Sequence, residues 1–367
     1  MKSVLDFYFK DNLFYFRKMN LLRKLLFPFA ILYGLITSIR NFLFDKGVFK
    51  SYPFSLPIIA VGNLSVGGTG KTPQIEYLIR LLSNKYKIAT LSRGYKRQSK
   101  GFILAEAGTN AKNIGDEPFQ FFQKYPSIRV AVDADRKNGI EQLLSLHEKP
   151  DVILLDDAFQ HRKVKAGFYI LLTSYGDLYS DDFMLPTGNL RENRNGAERA
   201  NVIIVTKCPF NLSLDEQNKI KNRLKVGANQ ELYFTFIAYD EFVYGENRKI
   251  NVKEFQAAAK VLVAGIAKPE PFFTYLQNTN DVCLSFPDHH NFNEKDILEI
   301  KNLAQNKIII TTEKDYVRLK GRLPSEQLFY LPIQSDFLSS EDFDAADETK
   351  KFNKTIIEYV GTSTRNR

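Results

Sequence analysis

A glycine-rich run with one lysine follows an apolar segment of the chain. It reads SVGGTGKT and differs from the phosphate-binding pattern G-x-x-x-x-G-K-[ST] only at its first residue, where Ser replaces Gly. Successive backbone N–H groups of such a loop converge on an anion, and the helix that follows adds the positive end of its dipole. The run therefore predicts a nucleoside triphosphate site. Its residues are Ser65, Val66, Gly67, Gly68, Thr69, Gly70, Lys71 and Thr72.

Two adjacent aspartates, Asp156 and Asp157, end the apolar segment VILLDD. P-loop enzymes hold Mg²⁺ with an acid at the end of a strand beside the loop. We expect Asp156, Thr72 and Gln160 to hold Mg²⁺, while Asp157 and Lys71 take part in catalysis, although the sequence leaves open which aspartate organises the metal. ATP is the expected phosphoryl donor.

The segment VTK at residues 205–207 is similar to the part of GTPases that binds the base. Pro209 stands where those proteins carry an aspartate, which argues against guanine as the base.

Seven motifs occur along the chain in a characteristic order: GNLSVGGTGKTP, SRGYKR, GDEP, DDAFQH, LRE, PDHH and TEKD. This order resembles the tetraacyldisaccharide 4′-kinases, the lipid A 4′-kinases of Gram-negative bacteria, up to about residue 320. Ala158 and Asn189 depart from the residues common in that family, Gly and Pro, but neither change touches a titratable group. The resemblance implies transfer of the γ-phosphate of ATP to the 4′-hydroxyl of an acylated glucosamine disaccharide 1-phosphate, giving lipid IVA.

The resemblance also implies roles for individual residues. Asp116 of GDEP would be the base that deprotonates the sugar hydroxyl, supported by His289 of PDHH. These two residues fall in different predicted domains, so closure of the smaller domain would assemble the site. A helix N-cap is the alternative interpretation of Asp116. Arg136 would stabilise the transferring phosphoryl group or bind a substrate phosphate. Arg93, Glu117, His161 and Glu192 are further possible site residues without separate roles.

The N-terminal segment combines basic and apolar residues. Residues 1–50 contain nine Lys or Arg against three Asp, within a net charge of +9 for the whole chain. The uncharged run from Leu25 to Ile39 is shorter than the ~20 residues that span a bilayer. We expect an amphipathic helix on the membrane surface, at the cytoplasmic face of the bacterial inner membrane. Packing of this helix on the protein's own core is the main alternative, and a signal peptide is disfavoured.

Apolar, β-branched runs alternate with helical stretches along most of the chain. This rhythm predicts an α/β fold, in which a doubly wound, mostly parallel sheet carries the P-loop. A second, smaller α/β domain follows. The predicted divisions are an N-terminal membrane-associating segment (1–50), a P-loop core (51–230), a linker or hairpin (231–255), the smaller domain (256–335) and a C-terminal tail helix (336–367).

Two other classes of function compete with the kinase. One is a membrane-associated P-loop switch that hydrolyses nucleotide without a phosphoryl acceptor. The other is a nucleic-acid-binding module, which is disfavoured because the basic residues cluster with a long apolar run. We expect no nucleic-acid partner and no obligate protein partner. Two cysteines cannot build a disulfide framework.

Overall fold

The computed structural model describes residues 21–255, 258–288, 290–340 and 344–365. The chain forms two compact units, one made of Met1–Ile237 with Ser335–Arg367 and the other of Ala238–Gln334. The first unit is therefore discontinuous in sequence, and the second is an insertion into it.

The first unit is built on a nine-stranded sheet whose central strands are parallel. Four of its strands are buried at every position, as expected of a sheet covered on both faces: Ile58–Asn63, Ile88–Ser92, Val152–Asp156 and Val202–Thr206. The α/β class and the doubly wound parallel sheet predicted from the apolar runs are confirmed. From edge to edge the strands are β15 (Ile333–Phe337), β8 (Glu231–Tyr239), β7 (Val202–Thr206), β6 (Phe168–Ser174), β1 (Ile58–Asn63), β5 (Val152–Asp156), β2 (Ile88–Ser92), β4 (Arg129–Val132) and the antiparallel β3 (Ile103–Leu104).

Helices cover both faces of this sheet. Alternate residues of β1 point to opposite sides, so Ile59 joins the core formed with the helix after the P-loop, while Ile58 joins the core on the other face. The first helices of the unit are α1 (Leu21–Leu25), α2 (Phe27–Asp45), α3 (Lys71–Leu82), α4 (Ala111–Ile114), α5 (Asp116–Lys124), α6 (Arg136–Ser145) and α7 (Leu214–Leu224), with a 3-10 helix at Arg194–Arg199.

The second unit has its own six-stranded sheet and its own apolar core. Its central strands are parallel, and helices follow them, so it is a smaller α/β structure. Its strands in spatial order are β10 (Lys249–Asn251), β9 (Phe242–Tyr244), β14 (Leu328–Leu331), β13 (Ile309–Thr312), β11 (Val261–Ala264) and β12 (Val282–Ser285). Its helices are α8 (Val252–Phe255), α9 (Glu270–Leu276), α10 (Glu294–Ala304) and α11 (Glu313–Leu319).

The segment at residues 231–255, expected as a linker or hairpin, is divided between the two sheets. Strand β8 pairs in parallel with β7 and extends the nine-stranded sheet. Its alternating apolar pattern reflects partial burial near the sheet edge. Strands β9 and β10 then form an antiparallel pair in the second unit.

The last described helix, α12 (Ala345–Arg365), returns to the first unit and completes its core. Phe352 and Ile356 are fully buried, and the Phe352 ring packs among Tyr77, Tyr233 and Phe337. The Tyr359 hydroxyl accepts a hydrogen bond from the backbone N–H of Ile58 at 3.1 Å and donates one to its carbonyl at 3.0 Å. The tail helix thus anchors the beginning of the strand that leads into the P-loop.

The Phe352→Ala variant tests this anchoring. Removing a fully buried ring leaves a cavity and costs about 3–5 kcal/mol of stability. We expect a lower midpoint of urea denaturation, followed by circular dichroism. Leu298→Ala, at a side chain that is 60% exposed, is the control and should leave the midpoint nearly unchanged. Equal midpoints for the two variants would show that α12 is not part of the cooperative core.

Candidate functional site

The glycine-rich loop has the geometry of a phosphate cradle. Strand β1 ends at Asn63, and α3 begins at Lys71 directly after Gly70, which has a φ of +82°. No side chain caps the start of α3. Its first backbone N–H groups therefore suit an anion.

Ser65, the departure from the usual pattern, lies where the loop is held by backbone contacts. Its carbonyl accepts a hydrogen bond from the Asn63 side chain at 2.6 Å, and the Val66 N–H donates to the Asn189 carbonyl at 2.7 Å. A serine allows these contacts as well as a glycine would, because the loop takes part in both through main-chain atoms only.

Asp157 is held between two cations at the mouth of the cradle. Arg191 binds both of its carboxylate oxygens, at 2.7 and 3.0 Å, and the Lys71 ammonium lies 3.7 Å from one of them. Asn63 accepts from both Lys71 and Arg191 through its side-chain oxygen. Burial by itself would raise the pKa of Asp157, but the Arg191 hydrogen bond and the Lys71 charge outweigh it and lower that pKa. Asp157 is therefore ionised and already paired.

Asp156 is in a different environment although it is the neighbouring residue. Its side chain is buried at the end of β5, and its Oδ1 has no hydrogen-bond partner among the described residues. Burial, followed by the charges of Asp157 and Glu117, raises its pKa to about 6, against the attraction of Lys71. Because Oδ1 of Asp156 has no partner among the described residues, this carboxylate can bind a metal cation without first breaking an ion pair, as Asp157 would have to.

Arg136 is a buried residue next to Asp156. It is 3% exposed, donates to the Asp133 carbonyl at 2.8 Å, and points a second nitrogen at the Asp156 carbonyl. Burial lowers its pKa to about 10, so the guanidinium remains charged at neutral pH. Arg93 follows β2 at the same sheet edge, and its charge acts on Arg136.

Glu192 is a buried acid that connects several segments of the chain through hydrogen bonds. It is buried, and its carboxylate accepts from Arg199, from Asn41 of α2 at 2.9 Å and from Gln160 at 2.8 Å. Gln160 also donates to the Asn63 carbonyl, which leaves its side-chain oxygen buried and without a partner in the described chain.

His161 is a neutral imidazole at physiological pH. Burial, then the charge of Arg136, lowers its pKa to about 4. Its Nε2 is buried, with no hydrogen-bond partner in the part of the chain that the structure describes.

Asp116 and Glu117 begin helix α5. The N-cap of this helix is Gly115, with a φ of +95°, so Asp116 is the first helical residue and not the cap. Glu117 is close enough to Asp156 for its charge to raise that pKa. His289 lies outside the described residues, and its pairing with Asp116 stays a prediction.

A buried glutamate on α3, Glu76, joins the helix after the P-loop to the helix that carries Asp116. It is 1% exposed and accepts from Gln120 at 2.9 Å and from Lys124 at 2.7 Å, both on α5. This contact sets the position of α5 along α3. Glu76 could not be recognised from the sequence, because an acid inside an amphipathic helix gives no signal of burial.

Arg191 also received no role from the sequence, although it lies in the LRE motif that carries Glu192. The role of Arg191 is visible only in the structure, where its guanidinium contacts Asp157, a residue 34 positions away in the sequence.

Helix α2 lies against the site with its polar side chains and exposes its apolar ones. The Tyr33 hydroxyl donates to the Arg191 carbonyl at 3.0 Å, and Arg40 donates to the Gln160 carbonyl at 3.1 Å. Among the described helices, α2 alone has the length and apolar composition to cross a membrane. Along α1 and α2, the large apolar side chains that are at least half exposed are Leu25, Phe29, Ile31, Leu32, Leu35, Ile36, Ile39 and Phe42.

Comparison with known proteins gives a consistent result. Residues 22–350 match the family model of the tetraacyldisaccharide-1-P 4′-kinases. A tetraacyldisaccharide 4′-kinase of Flavobacterium psychrophilum is 67% identical over 95% of this chain and 100% of its own length. One of Flavobacterium johnsoniae is 64% identical over 93% of this chain and 98% of its own. The crystal structure of LpxK from Aquifex aeolicus in complex with ATP matches with a TM-score of 0.73 and 29% identity, over 93% of this chain and all of that one.

The raised pKa of Asp156 gives a prediction about stability without Mg²⁺. Because the folded state holds this proton more tightly than the unfolded chain does, the stabilisation is complete below pH 3.8 and is lost as the pH rises through about 6. Asp156→Asn removes the buried charge and should stabilise the fold at pH 8 by up to about 3 kcal/mol. The gain should vanish near pH 4, as measured by urea unfolding in EDTA.

Asp215→Asn, at an exposed acid in the first turn of α7, is the matched control. It should change stability by less than about 0.5 kcal/mol at either pH. A pH-independent effect of Asp156→Asn would contradict the assignment of a buried, energetically costly carboxylate.

Proposed function

The chain belongs to the tetraacyldisaccharide-1-P 4′-kinase family, and from this premise we propose how its residues share the work of a lipid A 4′-kinase. As a family member it is an ATP-dependent kinase that transfers a phosphoryl group to a hydroxyl of a disaccharide 1-phosphate lipid. The observation that carries the proposal is the cradle itself, a strand–loop–helix unit whose lysine already lies beside a paired aspartate.

The cradle holds the triphosphate of ATP. Backbone N–H groups from Gly67 to Thr72 bind the phosphate oxygens, and Lys71 offsets charge on the β- and γ-phosphates. Asp157 and Arg191 keep the Lys71 side chain directed at the cradle before nucleotide arrives. Because these charges are in place beforehand, little reorganisation is needed when the phosphoryl group is transferred.

The acceptor oxygen attacks the γ-phosphorus while the bond to the β-phosphate oxygen breaks and ADP leaves. Asp116 takes the proton of the 4′-hydroxyl as that new bond forms. The buried contact of Glu76 with Gln120 and Lys124 supports this role, since it fixes the helix that carries Asp116 against the P-loop helix. Arg136 stabilises the negative charge of the transferring group from beneath Asp156.

The residues present fit a Mg²⁺ ion. Asp156 Oδ1 and Gln160 Oε1 are buried oxygens without partners among the described residues, and oxygen is the ligand atom that Mg²⁺ prefers. Together with the Thr72 hydroxyl they would hold the ion, which supplies charge neutralisation on the β- and γ-phosphate oxygens. The described residues contain no cluster of three or more His, Cys, Asp or Glu suited to a metal. That agrees with the preference of Mg²⁺ for few carboxylates together with substrate phosphates.

Helix α2 lies in the surface of the membrane rather than across it. Tyr33, Arg40 and Asn41 bind the loops of the site from one side of the helix, and a bilayer cannot accommodate such irregular polar backbone. The exposed apolar side of α2 enters the lipid, and the basic residues Arg23 and Lys24 of the preceding helix α1 meet phosphate headgroups. The site then lies beside the layer that contains its lipid substrate, at the cytoplasmic face of the inner membrane, where ATP is available.

A transfer assay tests the kinase and the base together. Purified protein in mild detergent, with labelled ATP, Mg²⁺ and tetraacyldisaccharide 1-phosphate, should yield a doubly phosphorylated lipid. Asp116→Asn should lower kcat by about 10²–10⁴-fold, because the hydroxyl loses its proton acceptor. The Kd for ATP, from equilibrium dialysis, should be unchanged.

Asp215→Asn is again the matched control and should transfer phosphate at the wild-type rate. Full activity of Asp116→Asn would remove the base assignment and leave the kinase intact. ATP hydrolysis that is insensitive to the lipid, with no lipid product, would instead favour a switch without an acceptor.

Membrane association is tested by flotation with vesicles of anionic phospholipid. Replacing both Leu32 and Ile36 by Asp removes two exposed apolar side chains from the lipid-facing side. Each is worth about 1.5–3 kcal/mol when buried, so binding should weaken at least about 100-fold. Leu298→Asp, on α10, is the control. Equal binding of both proteins would contradict the interfacial assignment.

A further inference from the structure

Residues 189–191, here called the 189–191 segment, are paired with the first half of the glycine-rich loop. The Asn189 carbonyl accepts the Val66 N–H at 2.7 Å, and the Arg191 N–H donates to the Leu64 carbonyl, also at 2.7 Å. These two backbone contacts fix where the glycine-rich loop begins. The position of the phosphate cradle therefore depends on how the 189–191 segment is itself held.

The 189–191 segment also carries the guanidinium that organises the charges of the site. Arg191 binds both oxygens of Asp157, which in turn lies 3.7 Å from the Lys71 ammonium. A shift of this backbone would move the cradle and the Arg191 side chain together. Displacements of about 1 Å in a catalytic site are enough to slow a reaction about 100-fold.

A buried carboxylate, that of Asp182, holds the segment from the other side. Asp182 is 6% exposed. It accepts the Phe183 N–H at 2.8 Å, and the Asn189 N–H lies 3.1 Å from each of its two oxygens. Burial raises the pKa of Asp182, and the hydrogen bonds from these N–H groups act against that change. One side chain thus joins two stretches of backbone seven residues apart.

The space around this carboxylate is closely filled. A methyl group placed on Gly188 would lie 2.4 Å from Asp182 Oδ1 and 2.2 Å from the Phe183 carbonyl oxygen, so a glycine is required there. Asp181, the adjacent acid, is only partly buried and pairs with Arg223 of α7. The two neighbouring aspartates therefore have different surroundings, and only Asp182 contacts the backbone of the 189–191 segment.

We propose that Asp182 is a positioning residue for phosphoryl transfer. By accepting the Asn189 N–H, it holds the 189–191 segment against the glycine-rich loop. In the same way it keeps Arg191 directed at Asp157. Asp182 acts through the backbone and not on the nucleotide, and this inference rests on the proposed binding of ATP in the cradle.

The Asp182→Ala variant removes the acceptor. The Kd for ATP, from equilibrium dialysis, should rise about tenfold, the effect of one hydrogen bond to a charged group, and the KM for ATP should rise with it. We expect kcat to fall as well, while the KM for the lipid stays within about twofold of wild type. Asp181→Ala removes the adjacent acid and is the matched control, with wild-type values. Equal values for the two variants would overturn the proposal.

A second substitution tests the Asn189 contact specifically. Proline has no N–H and needs no acceptor, and it is the residue common in the family at position 189. Adding Asn189→Pro to Asp182→Ala should therefore return the Kd for ATP to within about threefold of that of Asn189→Pro alone. A Kd that stays as high in the double variant as in Asp182→Ala would show that Asp182 does not act through the Asn189 N–H.

The Asp182→Asn variant decides the question should Asp182→Ala not fold. It keeps the shape of the side chain and one accepting oxygen, but its amide nitrogen replaces an oxygen that accepts the Asn189 N–H. The Kd for ATP should rise at least about threefold, and Asn189→Pro should remove that increase. A lower midpoint of urea unfolding with an unchanged Kd for ATP would show that Asp182 stabilises the fold only. Failure of the wild-type protein to phosphorylate the lipid would contradict the proposed function instead, and the Kd for ATP would still test the role of Asp182.

Discussion

The clamp of Lys71 and Arg191 on Asp157 is the interaction on which the organisation of the site depends. It joins three segments distant in sequence, the P-loop, the end of β5 and the LRE motif, at one point near the cradle. Asn63 adds the end of β1 to the same cluster. The attraction between Asp157 and the two cations holds Lys71 in position before substrate binds. Because both oxygens of Asp157 are used in these contacts, Asp157 is not available to bind a metal. The neighbouring Asp156 is buried, and its Oδ1 has no hydrogen-bond partner among the described residues.

Much of the fold could be predicted from the sequence because the relevant signals are local. Continuous apolar runs indicated strands buried on both faces, and the P-loop motif indicated the strand–loop–helix unit around Lys71. Asp156 and Asp157, in contrast, are adjacent and chemically identical in sequence. What separates them is Arg191, which contacts only one, and no spacing rule relates residues 34 positions apart. The same limit hid Glu76, since its burial against α5 is a property of how two helices pack.

Helix α2 shows how one element can bind a polar site with some side chains and leave an apolar side exposed. Tyr33 and Asn41 are bound to groups of the LRE motif, while side chains such as Leu32 and Ile36 remain exposed. The sequence predicted an amphipathic segment but could not show which side chains would bind the protein, because the polar residues on α2 are few and only Arg40 and Asp45 are charged. Glu192 accepts hydrogen bonds from α2, from Gln160 and from the 3-10 helix, so α2 and the loops around the P-loop share a common support.

The return of the chain into the first unit through β15 and α12 has a consequence for biosynthesis. The apolar core around β1 needs Phe352, Ile356 and Val360, so it cannot close until the ribosome has translated beyond residue 360. The inserted unit, Ala238–Gln334, is complete earlier and has its own core. The inserted unit can therefore fold before the core of the first unit is complete, while one face of the larger sheet is still partly uncovered. Such a chain is most exposed to chaperones and to aggregation in that interval.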